Sequence, residues 1–181
     1  MANLIDIKQS FVLLVDVQEK LLPTIHQADQ LETNIQKLLS ATKALELDLI
    51  HCEQYPKGLG NTIPSLHEFT GLKAYDKTIF SAFGNTDLVD SIKKINKKQC
   101  IITGIEAHVC ITQTVNDLLE ENIEVFIPYE VVSSRTQQNK DLAIERMRAW
   151  GAQIVSLEQV FFEWLRDAKN PKFKEIAQLI K

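Results

Sequence analysis

The sequence predicts a three-layer α/β/α sandwich around a mostly parallel central sheet, and three observations lead there. Short continuous apolar runs, of which Phe11-Val12-Leu13-Leu14-Val15 is the clearest, carry the signature of strands buried on both faces. Between such runs lie stretches with apolar residues at three- and four-residue spacing, the period of a helix with one buried stripe. The chain has 181 residues and 45% hydrophobic content, enough to bury one full core. No linker, internal repeat or low-complexity tract divides it, so a single domain over 1–181 is expected.

The elements come in order. After the first strand, Asp29 through Leu47 carries Leu31, Ile35, Leu38, Leu39, Thr42 and Leu45 at helical spacing. Leu49–Cys52 is a second short apolar run. Residues 53–76 hold Pro56, Gly58, Gly60, Pro64 and Gly71, which read as a long excursion with one helical turn near Ser65–Phe69. Excursions of this length in a compact domain are usually functional, as a lid or a pocket wall. Thr86–Ile95 is a helix with Asn85 or Thr86 as its cap, and Gln99–Gly104 a strand ending in glycine. A helix over Val109–Glu120, a strand over Ile123–Ile127, a helix over Gln137–Trp150 and a strand over Ala152–Val155 continue the alternation. Helices over Leu157–Ala168 and Lys172–Ile180 close the chain, parted by Asn170-Pro171. Strands separated by helices imply βαβ units and hence parallel pairing.

Composition excludes several classes of function. A net charge of -4 gives no electrostatic footprint for nucleic acid or an anionic membrane. Phe11–Val15 is far too short to cross a bilayer, which needs about 20 residues, and Met1–Ser10 does not read as a targeting segment. Three cysteines are too few, and odd in number, for a disulfide framework, which suits a reducing compartment; a cytoplasmic location is expected. Gly58 and Gly60 stand without a third glycine or a Lys-Ser/Thr pair, so no nucleotide fingerprint exists and no cofactor is expected. His26, His51, His67 and His108 show neither i, i+4 pairing nor a Cys-x-x-Cys partner, so no metal is expected.

Parallel sheets place ligands beyond the carboxyl ends of their strands, which directs attention to the residues just after each apolar run. Asp16 ends the first. A carboxylate there would be partly desolvated and its pKa raised toward the range of a general base, although a helix cap or turn residue occupies the same position equally well. Cys110 comes after Gly104-Ile105-Glu106-Ala107-His108-Val109, a strand-to-helix junction. In a first helical turn the dipole would favour a thiolate, and neighbouring backbone amides could receive an oxyanion. The alternative is a small buried hydrophobe. Cys52 and Cys100, within or at the end of strands, read as core packing. Lys77, set in Tyr75-Asp76-Lys77-Thr78-Ile79-Phe80, is either a cation beside a carboxylate or a surface lysine with a packed stem.

Taken together, Leu14-Val15-Asp16-Val17-Gln18, Lys77 through Phe83, and Gly104 through Cys110 running on into Ile111-Thr112-Gln113-Thr114 resemble the isochorismatase-like cysteine hydrolases, and the likeness spans residues 10–160. Cys52-Glu53-Gln54-Tyr55-Pro56-Lys57-Gly58-Leu59-Gly60 and Ser133-Ser134-Arg135 are similar to segments of the isochorismatase domain-containing subgroup. The resemblance implies a Rossmann-like sandwich with Cys110 as nucleophile, Asp16 as general base and Lys77 as the cation holding the pair. It also implies a cis peptide between Ile105 and Glu106, with the Glu106 and Cys110 N–H groups forming an oxyanion hole, and a homo-oligomeric assembly. The implied reaction is attack on a small amide or related carbonyl, and then hydrolysis of a thioester. Gln18, Leu21, Tyr55 and Phe83 are the expected pocket residues, the last three for their apolar surface.

Two departures narrow the substrate. Metal-dependent nicotinamidases carry Asp-x-His near the end of the second strand, where this chain has Glu53-Gln54-Tyr55-Pro56. Isochorismatases of the siderophore and phenazine pathways lack the nucleophilic cysteine that this chain has. Glu130 stands where many relatives have Asp. The expectation is a metal-independent cysteine amidase acting on a small-molecule substrate; the alternative is a non-catalytic interaction protein on the same scaffold.

Overall fold

Strand β1 (Ser10–Val15) is buried along its whole length, and its side chains alternate between two cores. Val12 and Leu14 join one; Phe11, Leu13 and Val15 join the other. That division is possible only for a strand covered on both faces. The computed structural model describes residues 4–71 and 73–181; Met1, Ala2, Asn3 and Leu72 lie outside the described residues, among them part of the opening segment and one position of the long excursion.

In chain order β1 leads to α1 (Ala28–Ala44), β2 (Asp48–Gln54), α2 (Pro56–Leu59), α3 (His67–Thr70) and β3 (Tyr75–Lys77). Then come α4 (Thr86–Ile95), β4 (Gln99–Ile105), a π-helical turn over Ala107–Ile111, α5 (Thr112–Glu120), β5 (Glu124–Pro128) and β6 (Val132–Ser133). The chain closes with α6 (Gln137–Ala149), β7 (Gln153–Val155), α7 (Leu157–Leu165) and α8 (Phe173–Gln178). Among the described residues these strands form one seven-stranded sheet, ordered β3-β2-β1-β4-β5-β7, with β6 pairing the end of β4. Every strand pair in it is parallel. The Val12–Leu14 core takes in side chains of α1, α7 and α8, and the Phe11–Val15 core those of α4, α5 and α6, which gives the three layers.

Local chemistry sets the element ends. Asn85 caps α4, its side chain accepting from the Leu88 N–H at 3.0 Å. Helix α1 stops at Ala44 rather than Leu47 because Glu46 turns left-handed at φ 56 and the Leu47 N–H returns to the Thr42 carbonyl at 2.9 Å, a Schellman closure. Ser156 and Gln159 form a capping box on α7. Glu130 serves the same helix end, its Oε2 accepting from the Leu157 N–H at 3.0 Å; that is its role here.

Three features depart from the expected elements. β3 carries no apolar run and is a strand because β2 offers it a free edge, pairing Cys52 with Tyr75, Glu53 with Asp76 and Gln54 with Lys77. β6 has two residues and forms where β5 has peeled away toward β7, leaving Gly104 and Ile105 unpaired on that side. The expected single helix over Val109–Glu120 is divided, its first turn widened to π geometry.

The chain reaches β2 and β3 on one side of β1 and crosses to β4 on the other, so the strand order reverses between β1 and β4. Gly104 fixes how closely those strands approach at that point. Its φ is +119, and a Cβ there would stand 2.0 Å from the Val15 carbonyl oxygen, a backbone atom that cannot give way. Gly104→Ala is therefore expected to cost on the order of 3 kcal/mol or more in urea unfolding. Gly71→Ala, whose Cβ would meet nothing within 4 Å although its φ is +68, should cost only about 1–2 kcal/mol. Equal losses at the two positions would contradict this account of the β1–β4 approach.

Candidate active site

The ends of four adjacent strands deliver the polar residues. Asp16 comes directly after β1 in left-handed backbone at φ 55, a conformation that Asp reaches at less cost than most residues, and its N–H donates to the Cys52 carbonyl at 3.1 Å. Cys52 lies near the end of β2, opposite Val15. Lys77 is the last residue of β3, opposite Gln54. Beyond β4 the Ile105–Glu106 peptide is cis, and the next turn, the π-turn, carries Cys110.

Asp16 and Lys77 form an ion pair of 2.6 Å in which neither side chain is exposed at all. The Lys77 ammonium donates to Asp16 Oδ2 at 2.6 Å, Gln54 Oε1 at 2.7 Å and the Phe80 carbonyl at 2.8 Å, so all three of its protons are used. Burial pulls the Lys77 pKa down, but the Asp16 carboxylate beside it outweighs that and leaves it above its ordinary value. Burial pushes the Asp16 carboxyl up from 3.8, with Lys77 as the main restraint. Two thiols complete the shell. Cys52 Sγ donates to Asp16 Oδ1 at 3.5 Å, and the Cys110 thiol lies near enough for the same carboxylate to raise its pKa.

Two sequence expectations are corrected at this point. The dipole of a first helical turn does not yield a standing thiolate at Cys110. Burial, and then the Asp16 charge, disfavour the anion and push the thiol up to about 12. Cys52 is more than packing: it lies in the core, yet its sulfur also faces Asp16. Cys100 is as expected, fully buried inside β4 with burial alone raising its pKa.

The widened turn around Cys110 is held by threonines. Thr112 Oγ1 donates to the Ala107 carbonyl at 2.6 Å and Thr114 Oγ1 to the Cys110 carbonyl at 2.7 Å, satisfying oxygens that a π-turn leaves displaced. Thr114 Oγ1 also accepts from the Ala82 N–H at 2.9 Å, which ties the segment after β3 to the turn. The Glu106 side chain, 8% exposed, receives Arg135 Nε at 3.0 Å and Nη2 at 3.2 Å. Gln54 and Thr114 are not singled out by sequence reasoning. The signal they carry is position: Gln54 ends a strand beside Asp16, and Thr114 stands four residues after Cys110, one helical turn on.

The expected pocket residues divide. Tyr55 lines a cleft of about 480 Å³ with Pro56, Lys57, Lys77, Thr78 and Asn85. Gln18 does not face it; its amide donates to the Gln54 and Gly60 carbonyls at 3.0 and 2.6 Å and accepts from the Gln54 N–H at 2.8 Å. That clamp uses its polar atoms to fasten the 53–76 excursion to the sheet. Leu21 packs on the α1-side core, and Phe83 lines a separate hollow of about 130 Å³ beside α4. Glu53 Oε1 pins the excursion a second time, accepting from the Thr62 N–H at 2.6 Å and hydroxyl at 2.8 Å. These bonds tie Gln54, Gly60 and Thr62 of the excursion to the ends of β1 and β2. His67 Nε2 bonds the Thr62 carbonyl at 2.8 Å. Among the described residues no group of three or more His, Cys, Asp or Glu is disposed to hold a metal ion, and no helix is long and apolar enough to cross a membrane.

Comparison with known proteins agrees with this fold. The chain is 42% identical over 174 residues to "Isochorismatase domain-containing protein 2" of Danio rerio, covering 96% of this chain and 87% of that protein. It superposes with a TM-score of 0.92 and 28% identity on YcaC from Pseudomonas aeruginosa, described with hexane-2,5-diol and covalent acrylamide, over 99% of this chain and 92% of that one. It superposes with a TM-score of 0.93 and 27% identity on the Escherichia coli YcaC gene product, described as an octameric hydrolase of unknown specificity, over 99% and 90% of the two chains. The Isochorismatase domain model matches residues 10–159, and the chain belongs to the isochorismatase family.

Proposed function

We propose that this chain is a metal-independent cysteine hydrolase that cleaves a small amide or related carbonyl compound through a thioester. One observation carries the reading. A buried carboxylate, Asp16, is paired with a fully coordinated ammonium, Lys77, and stands close enough to Cys110 that each shifts the other's titration, at the reversal point of a parallel sheet. A carboxylate so placed has lost its water and kept its charge, which is what a base for a high-pKa thiol requires.

In this reading the thiol of Cys110 attacks the substrate carbonyl while its proton passes to Asp16. The oxyanion that forms is received by the backbone N–H groups of Glu106 and Cys110. Collapse breaks the C–N bond, the proton on Asp16 leaves with the amine, and a thioester remains on Cys110. Water then attacks that thioester, gives its proton to Asp16, and regenerates the thiol as the acid departs. Lys77 does no proton transfer; its three hydrogen bonds hold Asp16 charged and oriented.

Assembly and location rest on the same kind of support. The octameric description of the E. coli relative supports a homo-oligomer, and Ile79 and Phe80, 59% and 51% exposed, supply apolar surface next to the Lys77 carbonyl partner. Three unpaired cysteines suit the cytoplasm.

A small-amide library assayed with wild type and Cys110→Ala tests the proposal. Turnover of at least one amide by wild type, with about 10³-fold or greater loss in the variant, is expected. No turnover of any member by wild type would favour an interaction protein on this scaffold, and equal turnover by both would show that Cys110 is not the nucleophile. The pH profile of kcat/KM is a separate check. Protonation of Asp16 removes the base, so activity should be full at neutral pH and fall as pH drops through a value above the ordinary carboxylate 3.8. Because burial holds the Cys110 thiol up to about 12, no inflection should appear near the ordinary thiol value of about 8.5. An inflection there would show that a pre-formed thiolate carries the reaction instead.

A further inference from the structure

The hydrolytic reading leaves Cys52 without a task, although its sulfur sits in the same carboxylate shell as Cys110. Cys52 Sγ donates to Asp16 Oδ1 at 3.5 Å, and Cys110 stands beside the same carboxylate, whose charge raises its pKa. The two thiols arrive there from different strands. Cys52 stands opposite Val15 on one side of β1, and the π-turn that carries Cys110 lies beyond Gly104, opposite Val15 on the other. Both belong to one packed cluster and lie close enough that Cys110 acts on the titration of Cys52. Cys110 is 5% exposed and Cys52 1%, so a small reagent meets Cys110 first while Cys52 waits behind it.

We propose that Cys52 is a resolving thiol for Cys110, and that a small hydroperoxide converts the pair to an intramolecular disulfide. In the first step the Cys110 proton passes to Asp16 and the sulfur attacks the terminal peroxide oxygen. An S–O bond forms and the O–O bond breaks; the departing alkoxide or hydroxide takes the proton from Asp16. Cys110 is now a sulfenic acid, oxidised by two electrons, and the peroxide has become an alcohol or water. In the second step the Cys52 proton passes to Asp16 and its sulfur attacks the Cys110 sulfur. The S–S bond forms, the S–O bond breaks, and hydroxide leaves as water with that proton. Asp16 serves both steps in the way proposed for hydrolysis, because Cys52 donates to it and Cys110 stands beside it.

The crosslink would occupy the nucleophile and take both thiols off Asp16, so oxidation should silence the site reversibly. It also protects Cys110, since a sulfenic acid captured by a thiol does not proceed to the irreversible sulfinic and sulfonic acids. Disulfides need Cβ atoms about 3.5–4.5 Å apart, so forming the bond draws the π-turn and the end of β2 together. Cys100 is walled inside β4 and takes no part.

Non-reducing peptide mapping of the full chain after treatment with hydrogen peroxide tests this directly. The expected result is a Cys52–Cys110 linked peptide, loss of both thiols in one step with Cys100 still free, and recovery of both with dithiothreitol. In Cys52→Ser, which keeps a donor toward Asp16 but no sulfur, dimedone should trap a sulfenic acid on Cys110, and sulfinic acid should then accumulate beyond dithiothreitol rescue. Sulfinic acid at Cys110 of the wild type with Cys52 still a free thiol would overturn the proposal, as would a disulfide through Cys100 or between chains. If the serine variant does not fold, the wild-type map alone decides. The inference rests on Cys110 being a reactive thiol, but the map reads a bond rather than turnover. A missing crosslink would leave amide hydrolysis standing, and a crosslink in a chain that turns over no amide would leave the thiol pair standing.

Discussion

Two opposite charges 2.6 Å apart, with no exposure to solvent on either side chain, are the constraint around which the rest of this molecule is arranged. Removing a carboxylate and an ammonium from water costs several kcal/mol each, and their attraction offsets that only when the remaining protons and lone pairs are also satisfied. Here they are. Gln54 and the Phe80 carbonyl take the other two Lys77 protons, and Cys52 and the Asp16 backbone link the pair to β2. Each partner comes from a different strand end, so the register of β1, β2 and β3 must be correct before the pair can close. Gly104 sets the fourth edge by letting β4 approach within reach of the Val15 carbonyl.

The same arrangement decides what kind of nucleophile is present. A cysteine paired with a cation, or placed at the open end of a helix, is held as a thiolate before substrate arrives. Cys110 is instead paired with a carboxylate in a dry pocket, and both effects keep it protonated. The Lys77 cation beside it pulls the thiol down, but less than burial and the carboxylate push it up. Such a site holds its reactivity back until a carbonyl is in place to accept the sulfur. The segment over residues 53–76, clamped by Gln18 and Glu53, bounds the cleft.

Much of this is legible in the residues. Phe11–Val15 announces a doubly covered strand because no other element of that length is apolar without interruption. Thr86–Ile95 can be placed to the residue because Asn85 carries its own capping signal. Asp16 and Cys110 are recognisable from their places beyond strand ends and Lys77 by family likeness, and the structure brings all three together. Tertiary context decides the rest. β3 is a strand only because β2 has an edge to pair with, and β6 only because β5 leaves one. Gln18 reads in sequence as a pocket residue, yet its amide spans atoms 36 and 42 positions away, which no local pattern reports. Sequence alone suggests a low pKa for the Cys110 thiol because the helix end is visible there; the desolvation that raises it is not. Cys52 reads as packing for the same reason, since only the folded sheet places it beside Asp16.

A double-mutant cycle on Asp16 and Lys77, read by urea unfolding, measures the central interaction most directly. Asp16→Asn and Lys77→Met each leave one charge buried without its partner, so each should cost about 3–5 kcal/mol. The double variant removes both charges and should recover much of that loss, giving a coupling of about 2 kcal/mol or more between the two positions. Losses that simply add, with a coupling below about 0.5 kcal/mol, would show that the two groups do not depend on one another, and the account built on their pairing would fail.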